Sequence, residues 1–198
     1  MNQQPLFKTT HDALTFAFAY SGQQYDRSAM ARAMAGATPL GKGLAGNDGA
    51  AQAGFIRRKV ASLGPVAEAI LTARYAPKTQ DCACCGKPRT GDAWVGAVRV
   101  IQEAAVGAAL SGQLSNRALR AAIVARAFGS TESLVEVAEQ CGVARNTASK
   151  HNGLILTWLR GKKSQGTKPA EPGEEEKALT AINELLCDSA IVGELIAA

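Results

Sequence analysis

Three cysteines lie close together in the chain, at Cys82, Cys84 and Cys85, and Gly86 and Lys87 follow them. Thiolates in a glycine-containing turn are typical of a structural zinc lobe, because sulfur is a favoured zinc ligand. Such a site normally uses two spaced cysteine pairs, and this chain has no second CxxC. The pattern therefore leaves two interpretations open: a zinc-binding loop or a loop with free thiols. The remaining two cysteines are expected to lie in the core.

A second group of polar residues lies in the segment that begins at Ser133. Ser133 and the glutamate three residues later form a capping-box pattern, which predicts the start of a helix. Gly142 is expected to supply the positive φ of a turn, and Ala138 and Ala148 are small enough for two helices to approach closely. This spacing resembles the helix-turn-helix of bacterial regulators and the promoter-reading domain of sigma factors. We therefore predict a helix-turn-helix over residues 133–158.

The second helix of this motif, from about Arg145 to Trp158, is expected to be the recognition helix that enters the major groove. Arginine can bind guanine and asparagine can bind adenine through paired hydrogen bonds, whereas serine, threonine and lysine suit phosphates. Two positions depart from the usual pattern: Ala144 replaces a capping Ser or Thr, and His151 replaces an apolar residue. The candidate DNA-binding residues are Arg145, Asn146, Thr147, Ser149, Lys150 and Ser133.

Motifs for nucleotide binding and hydrolysis are incomplete in this sequence. Residues 36–42 match GxxxxGK, but Gly43 stands where a magnesium-binding Ser or Thr is needed. Residues 41–46 match GxGxxG, yet no hydrophobic strand leads into them. The chain has no GxSxG or HExxH and only two histidines for acid–base chemistry. We therefore expect that this protein is not an enzyme.

Composition favours a helical protein. The chain has 198 residues, of which 46% are hydrophobic but only 5% aromatic. Strands favour aromatic and β-branched residues, so the predicted fold class is all-α, with small-residue packing. No apolar run approaches the roughly 18 residues of a membrane span, and the N-terminus lacks the pattern of a secretory signal. With an odd number of cysteines, the expected compartment is the reducing cytoplasm.

The charge is distributed unevenly along the chain. Residues 1–168 contain 21 Lys and Arg against 10 Asp and Glu, whereas residues 169–198 contain one Lys and seven acidic residues. A basic body favours a polyanionic partner, because neutralising phosphates releases counterions. The acidic C-terminal part is expected either to shield the basic surface or to contact another protein.

Spacing and composition divide the chain into five regions. The first is an N-terminal helical region at 1–76, which contains a Gly-rich loop at 36–49, and a cysteine-bearing loop follows at 77–92. A second helical region at 93–160 ends in the helix-turn-helix. A linker at 161–176 then tethers the C-terminal helical segment at 177–198.

Two stretches together resemble the Q-type late-gene antitermination proteins of lambdoid bacteriophages. One runs from Asn47-Asp48-Gly49 through Arg57-Arg58 to Tyr75, and the other is the helix-turn-helix segment with its ending Thr157-Trp158-Leu159-Arg160. The resemblance implies a protein in the bacterial host cytoplasm that binds DNA near a late promoter. It also implies that the protein loads onto a paused RNA polymerase holding sigma, and then promotes readthrough of pauses and terminators.

The same resemblance implies a surface for the polymerase in addition to the DNA surface. The implied polymerase-contact residues are Arg57, Arg58, Lys59 and Lys42. Two other functions stay open from the sequence. One is a repressor or activator that binds a palindrome as a symmetric dimer through residues 177–197. The other is a helical protein-interaction module whose basic charge is incidental.

Overall fold

The computed structural model describes residues 5–20, 46–82, 84–113, 115–164 and 169–193. These residues form eight helices and two sheets of two antiparallel strands, so the expected mostly helical character is confirmed. None of the described helices combines the length and apolar composition needed to cross a membrane. The helices are α1 (Thr10–Ala19), α2 (Gly46–Ala61), α3 (Pro65–Tyr75), α4 (Asp92–Ala108), α5 (Arg117–Ala127), α6 (Leu134–Gln140), α7 (Arg145–Arg160) and α8 (Glu174–Asp188). The strands are β1 (Thr79–Asp81), β2 (Pro88–Thr90), β3 (Gly161–Lys162) and β4 (Glu171–Pro172).

Helices α1, α2, α3 and α8 pack together, although they come from opposite ends of the chain. The N–H of Phe7 donates to the carbonyl of Ile191 at 3.0 Å, which joins the segment before α1 to the segment after α8. The inward faces of the four helices contribute fully buried side chains to one core: Leu14, Ile56, Ile70, Leu71, Ile182 and Leu186.

The C-terminal helix belongs to this core, which corrects the prediction of a linker at 161–176 and a tethered helix. Strands β3 and β4 pair within that segment, apart from residues 165–168 outside the described part, and α8 begins at Glu174. A Cβ on Gly173 would lie 2.3 Å from the carbonyl oxygen of Leu159, so two backbones cross in contact here. The glycine that suggested a flexible linker instead permits this close crossing.

Two segments predicted as loops contain regular structure. Helix α2 begins at Gly46, so the end of the predicted loop 36–49 is helical, and the rest of that loop lies outside the described residues. Asp48 lies in the first turn of α2, where the helix dipole favours a negative charge. The predicted cysteine-bearing loop 77–92 contains the hairpin β1–β2, and Asp92 already begins α4.

Helix α4 packs along α3 and also contacts α5 and α7. The carboxylate of Asp92 at its start accepts hydrogen bonds from Arg89 at 2.7 Å and from Gln80 at 2.9 Å, which fixes the β1–β2 hairpin to the helix. Further along, Arg120 of α5 is buried and donates to the carbonyl of Gln102 at 3.3 Å. These contacts position α5, against which α6 and α7 pack.

Candidate nucleic-acid interface

Helix α6 ends in a Schellman motif that turns the chain into α7. The N–H of Val143 donates to the carbonyl of Ala138 at 2.9 Å, and the N–H of Gly142 donates to the carbonyl of Glu139 at 3.1 Å. Gly142 has φ +63°, in the left-handed region where a residue with a Cβ costs about 1–2 kcal/mol. The turn therefore ends α6 sharply, and α7 begins at Arg145.

Helix α5 supports both helices of this pair. Ala138 and Ala148 are both 0% exposed. Their small side chains allow α6 and α7 to approach closely. The side chain of Asn116 caps α5 and donates from Nδ2 to the carbonyl of Cys141 at 3.3 Å, which ties α5 to the turn. Larger buried side chains fill the space between the three helices: Leu119, Ile123, Val124, Ile155 and Leu159.

Helix α7 has one buried face and one exposed face. The buried residues recur every three or four positions: Ala148, His151, Ile155 and Leu159. The opposite face exposes Arg145, Asn146, Ser149 and Lys150, which we call the outer strip. Residues four positions apart share one side of a helix, so these four predicted residues form one surface. Thr147 is also exposed but lies to the side of the strip.

An ion pair across the turn holds Arg145. Its guanidinium pairs with the carboxylate of Glu139 in the last turn of α6, and both side chains are mostly exposed, at 68% and 60%. Exposed ion pairs contribute only about 0.2–1 kcal/mol, so a better acceptor can displace Glu139. This partner could not be predicted from the sequence, because its position depends on the geometry of the turn.

The N-terminus of α7 is open to a negatively charged group. Ala144 is the N-cap and makes no side-chain hydrogen bond, and no acidic residue lies in the first turn of the helix. Within the described residues, no capping side chain accepts from the first amides of α7, and the helix dipole adds a partial positive charge to them. These amides lie beside the outer strip, so one phosphate could contact the amides and the side chains of the strip together.

Ser133 lies at the start of α6 and not on the outer strip. It is the N-cap of α6, but its side chain accepts no capping hydrogen bond, so the predicted capping box is not formed. Its carbonyl accepts from the N–H of Val137 at 3.0 Å, which begins the helix through the backbone alone. Glu136 stays in the first turn, where the helix dipole favours it without a reciprocal bond.

His151 occupies the apolar face of α7 and is only 5% exposed. Burial lowers the pKa of its imidazole, and the positive charges of Lys150 and Arg120 lower it further. Its Nδ1 atom is buried and has no hydrogen-bond partner in the described part of the chain. A neutral imidazole therefore packs where helix-turn-helix motifs usually carry an apolar residue.

The residues assigned to polymerase contact divide into two groups in α2, and Lys42 lies outside the described residues. Arg57 donates from Nε to the carbonyl of Ala17 at 2.9 Å and also donates to the carbonyl of Tyr20. It thus binds the C-terminal end of α1, where the helix dipole favours a cation. These hydrogen bonds join α2 to α1, and partial burial lowers the pKa of the Arg57 guanidinium.

Arg58 and Lys59 instead lie near the ring of Phe55. The distance to the ring centre is 6.0 Å from the Cζ of Arg58 and 5.4 Å from the Nζ of Lys59. Arg58 is exposed and Lys59 is partly exposed. Arg57 is exposed as well, but its guanidinium is hydrogen-bonded to the end of α1, whereas the charged groups of Arg58 and Lys59 lie over the Phe55 ring.

One further cation extends the exposed side of α7. Arg160 lies three helical turns after Ser149, so it shares the side of the outer strip. Its Nη2 donates to the carbonyl of Ala127 at 3.1 Å, while the residue as a whole is exposed. Arg160 was not among the predicted DNA-binding residues, although the helical spacing that defines the outer strip extends to this position.

The three neighbouring cysteines lie in the turn between β1 and β2. The N–H of Cys82 donates to the carbonyl of Lys87 at 2.8 Å, and the N–H of Gly86 donates to the carbonyl of Cys82 at 2.8 Å. The Sγ atoms of Cys82, Cys84 and Cys85 all lie within 4.8 Å of one another. Hydrogen bonds from the side chain of Cys84, and from nearby backbone N–H groups, lower the pKa of Cys82 to about 7.

Comparisons with known proteins give no relative: no family model, no curated protein and no solved structure matches the chain.

Proposed function

We propose that this protein binds double-stranded DNA sequence-specifically and that α7 is its recognition helix. The outer strip carries the proposal: Arg145, Asn146, Ser149 and Lys150 are exposed on one face of a helix whose other face is buried. An α-helix with its side chains is about 10–12 Å wide, which matches the roughly 12 Å width of the major groove. The support from α5 and α6 keeps this helix in one orientation.

Each residue of the strip has a proposed role that follows from its chemistry. Arg145 binds a guanine and Asn146 binds an adenine, each through two hydrogen bonds, which discriminates a base pair by about 1–3 kcal/mol. Ser149 and Lys150 bind phosphates and fix the register of the helix in the groove. The open N-terminus of α7 adds backbone donors for one more phosphate. In the free protein Glu139 pairs with Arg145, and on DNA binding a guanine takes the place of Glu139.

The DNA-binding proposal is tested by selecting preferred sites from random duplexes and measuring affinity by fluorescence anisotropy. We expect Arg145→Ala to weaken binding to the selected site about tenfold or more, with little effect on unrelated duplexes. Lys150→Ala should weaken binding to all duplexes and reduce the salt slope by about 1.

The matched control is Arg99→Ala, which removes an exposed cation from α4. It should leave the selected site and its affinity nearly unchanged. If Arg99→Ala and Arg145→Ala weaken binding equally, net charge alone explains the affinity and α7 is not a recognition helix. An affinity that does not change with salt concentration would instead favour a protein-interaction module.

We propose further that DNA binding serves transcription antitermination. Support comes from the resemblance of residues 47–75 and 133–160 to the Q-type proteins, and from two separate basic surfaces. The outer strip lies on α7, whereas Arg58 and Lys59 lie on α2. A protein that loads onto polymerase from a DNA site needs one surface for each partner.

In vitro transcription tests this role, with a phage late promoter, RNA polymerase holoenzyme and a downstream terminator. We expect the protein to increase readthrough, and Arg145→Ala to abolish the increase. Arg58→Ala should retain DNA binding but lose readthrough. A footprint over the promoter with altered initiation and no readthrough would instead indicate a repressor or activator.

A further inference from the structure

The turn between β1 and β2 brings three thiols close enough together to bind one metal ion. The Sγ atoms of Cys82, Cys84 and Cys85 lie within 4.8 Å of one another, and those of Cys82 and Cys84 are 3.0 Å apart. Tetrahedral zinc has Zn–S bonds of about 2.3 Å, which separates its sulfur ligands by about 3.8 Å. The Cys82–Cys84 distance is shorter than that value and no pair exceeds it by more than about 1 Å, so small side-chain rotations suffice to surround an ion.

Backbone hydrogen bonds of the described residues close the turn on either side of the cysteines. Two hydrogen bonds of 2.8 Å close it, one between Cys82 and Lys87 and one between Gly86 and Cys82. Gly86 has φ +66°, a conformation that favours glycine, and a Cβ there would meet no atom within 4 Å. The strands on either side are anchored to α4 through Asp92. These contacts hold Cys82 and Gly86 at the two sides of the turn and leave the tip between them for the ion to stiffen.

We propose that Cys82, Cys84 and Cys85 bind one Zn²⁺ ion per chain, with the fourth coordination position open to solvent. Sulfur donors favour Zn²⁺ over Mg²⁺ or Ca²⁺, which prefer oxygen. In the part of the chain that the structure describes, no histidine or carboxylate joins the cluster. Cys84 and Cys85 are exposed, which leaves the remaining position accessible to water.

The expected consequence is a stiffer hairpin tip. The ion cross-links three positions of the turn that presents Lys87 and Arg89 beside the start of α4. No ligand cysteine lies on α7, so the zinc site and the DNA-binding surface are independent, and either proposal can fail without the other.

The full-length reduced chain is freed of metal and titrated with Co²⁺, whose absorption reports its ligands. We expect saturation at one Co²⁺ per chain, with sulfur-to-cobalt charge-transfer bands of the intensity of three thiolates. Zn²⁺ should then remove these bands at one equivalent. Competition with a chromophoric chelator gives the affinity for Zn²⁺.

Single variants identify the ligands. Loss of a residue that merely orients a ligand lowers metal affinity about 10–100-fold, so Cys82→Ser, Cys84→Ser and Cys85→Ser should each cost at least about 100-fold. Cys141→Ser and Cys187→Ser are the matched controls, because these thiols lie outside the cluster and should leave binding unchanged. Circular dichroism confirms that each variant retains its helices.

Three results would overturn the proposal. One is the absence of charge-transfer bands in the reduced chain. Another is saturation at half an ion per chain with dimer formation, which indicates an ion shared between two copies. The third is a Cys84→Ser variant with unchanged affinity and band intensity, which would reduce the site to a two-thiolate pair.

Discussion

Replacing Gly142 with alanine tests the turn that positions α7. Gly142 has φ +63°, and a Cβ there would meet no atom within 4 Å, so the cost is purely conformational. The left-handed conformation costs alanine about 1–2 kcal/mol, whereas the reduced freedom of the unfolded chain returns about 0.4–1 kcal/mol. We therefore expect Gly142→Ala to lower the free energy of unfolding by about 1 kcal/mol.

Thermal unfolding followed by circular dichroism measures this change. For a chain of this size, about 1 kcal/mol corresponds to a decrease of about 2–4 °C in Tm. Gly153→Ala is the matched control, because Gly153 lies inside α7, where its Cβ would also meet no atom within 4 Å. Alanine in a helix interior is more stable than glycine by about 0.5–1 kcal/mol, so this variant should raise Tm.

The two variants make the same chemical change, and the structure predicts opposite signs for them. An increase in Tm for Gly142→Ala would show that residue 142 does not adopt a left-handed conformation. The Schellman motif, and with it the direction of α7, would then be wrong.

Three further perturbations follow from single contacts. Glu139→Gln removes the partner of Arg145 and a charge near the phosphates, so DNA affinity in anisotropy should rise about twofold to fivefold, corresponding to about 0.4–1 kcal/mol. His151 has a lowered pKa in the folded state, so the unfolded chain binds more protons below pH 6.5 and stability falls as pH decreases. His151→Leu should reduce that loss of stability in urea titrations between pH 7 and pH 5. Gly173→Ala places a Cβ 2.3 Å from the backbone, so it should lower the free energy of unfolding by about 1–3 kcal/mol.

Each of these has a control in the same chain. Glu68→Gln removes an exposed charge from α3 and should leave DNA affinity unchanged. His11→Gln should keep the acid-induced loss of stability, since His11 is an exposed residue on α1. Gly107→Ala should not destabilise the chain, because its Cβ would meet no atom within 4 Å. An equal effect of variant and control would contradict the contact assigned in each case.

Helical spacing predicted much of the fold, since it depends on residues close in sequence. The apolar repeats of α4 and α5 and the cap at Asn116 are local signals, and the structure contains them. The pairing of β3 with β4 beside Gly173 could not be predicted in this way. The glycines and charged residues of this segment are typical of a linker. Only the packing of distant segments distinguishes a pair of strands from a flexible linker here.

The candidate site likewise contains residues that local sequence spacing could group and contacts that it could not predict. The exposed face of α7 follows from a period of about four residues, so the sequence alone could group Arg145, Asn146, Ser149 and Lys150. Arg57 was different, because its hydrogen bonds join it to α1, 40 residues earlier in the chain. Such long-range bonds leave no pattern in the local sequence.

The assignment of α7 as the recognition helix is best tested by the change in base preference that Asn146→Ala causes. Sites are selected from random duplexes with the original protein and with this variant, and the two preferences are compared position by position. If α7 reads the major groove, the variant should accept any base at one position, at a cost of about 1–3 kcal/mol for the original site, and keep the other positions. An unchanged preference at every position would contradict the assignment of α7 as the recognition helix.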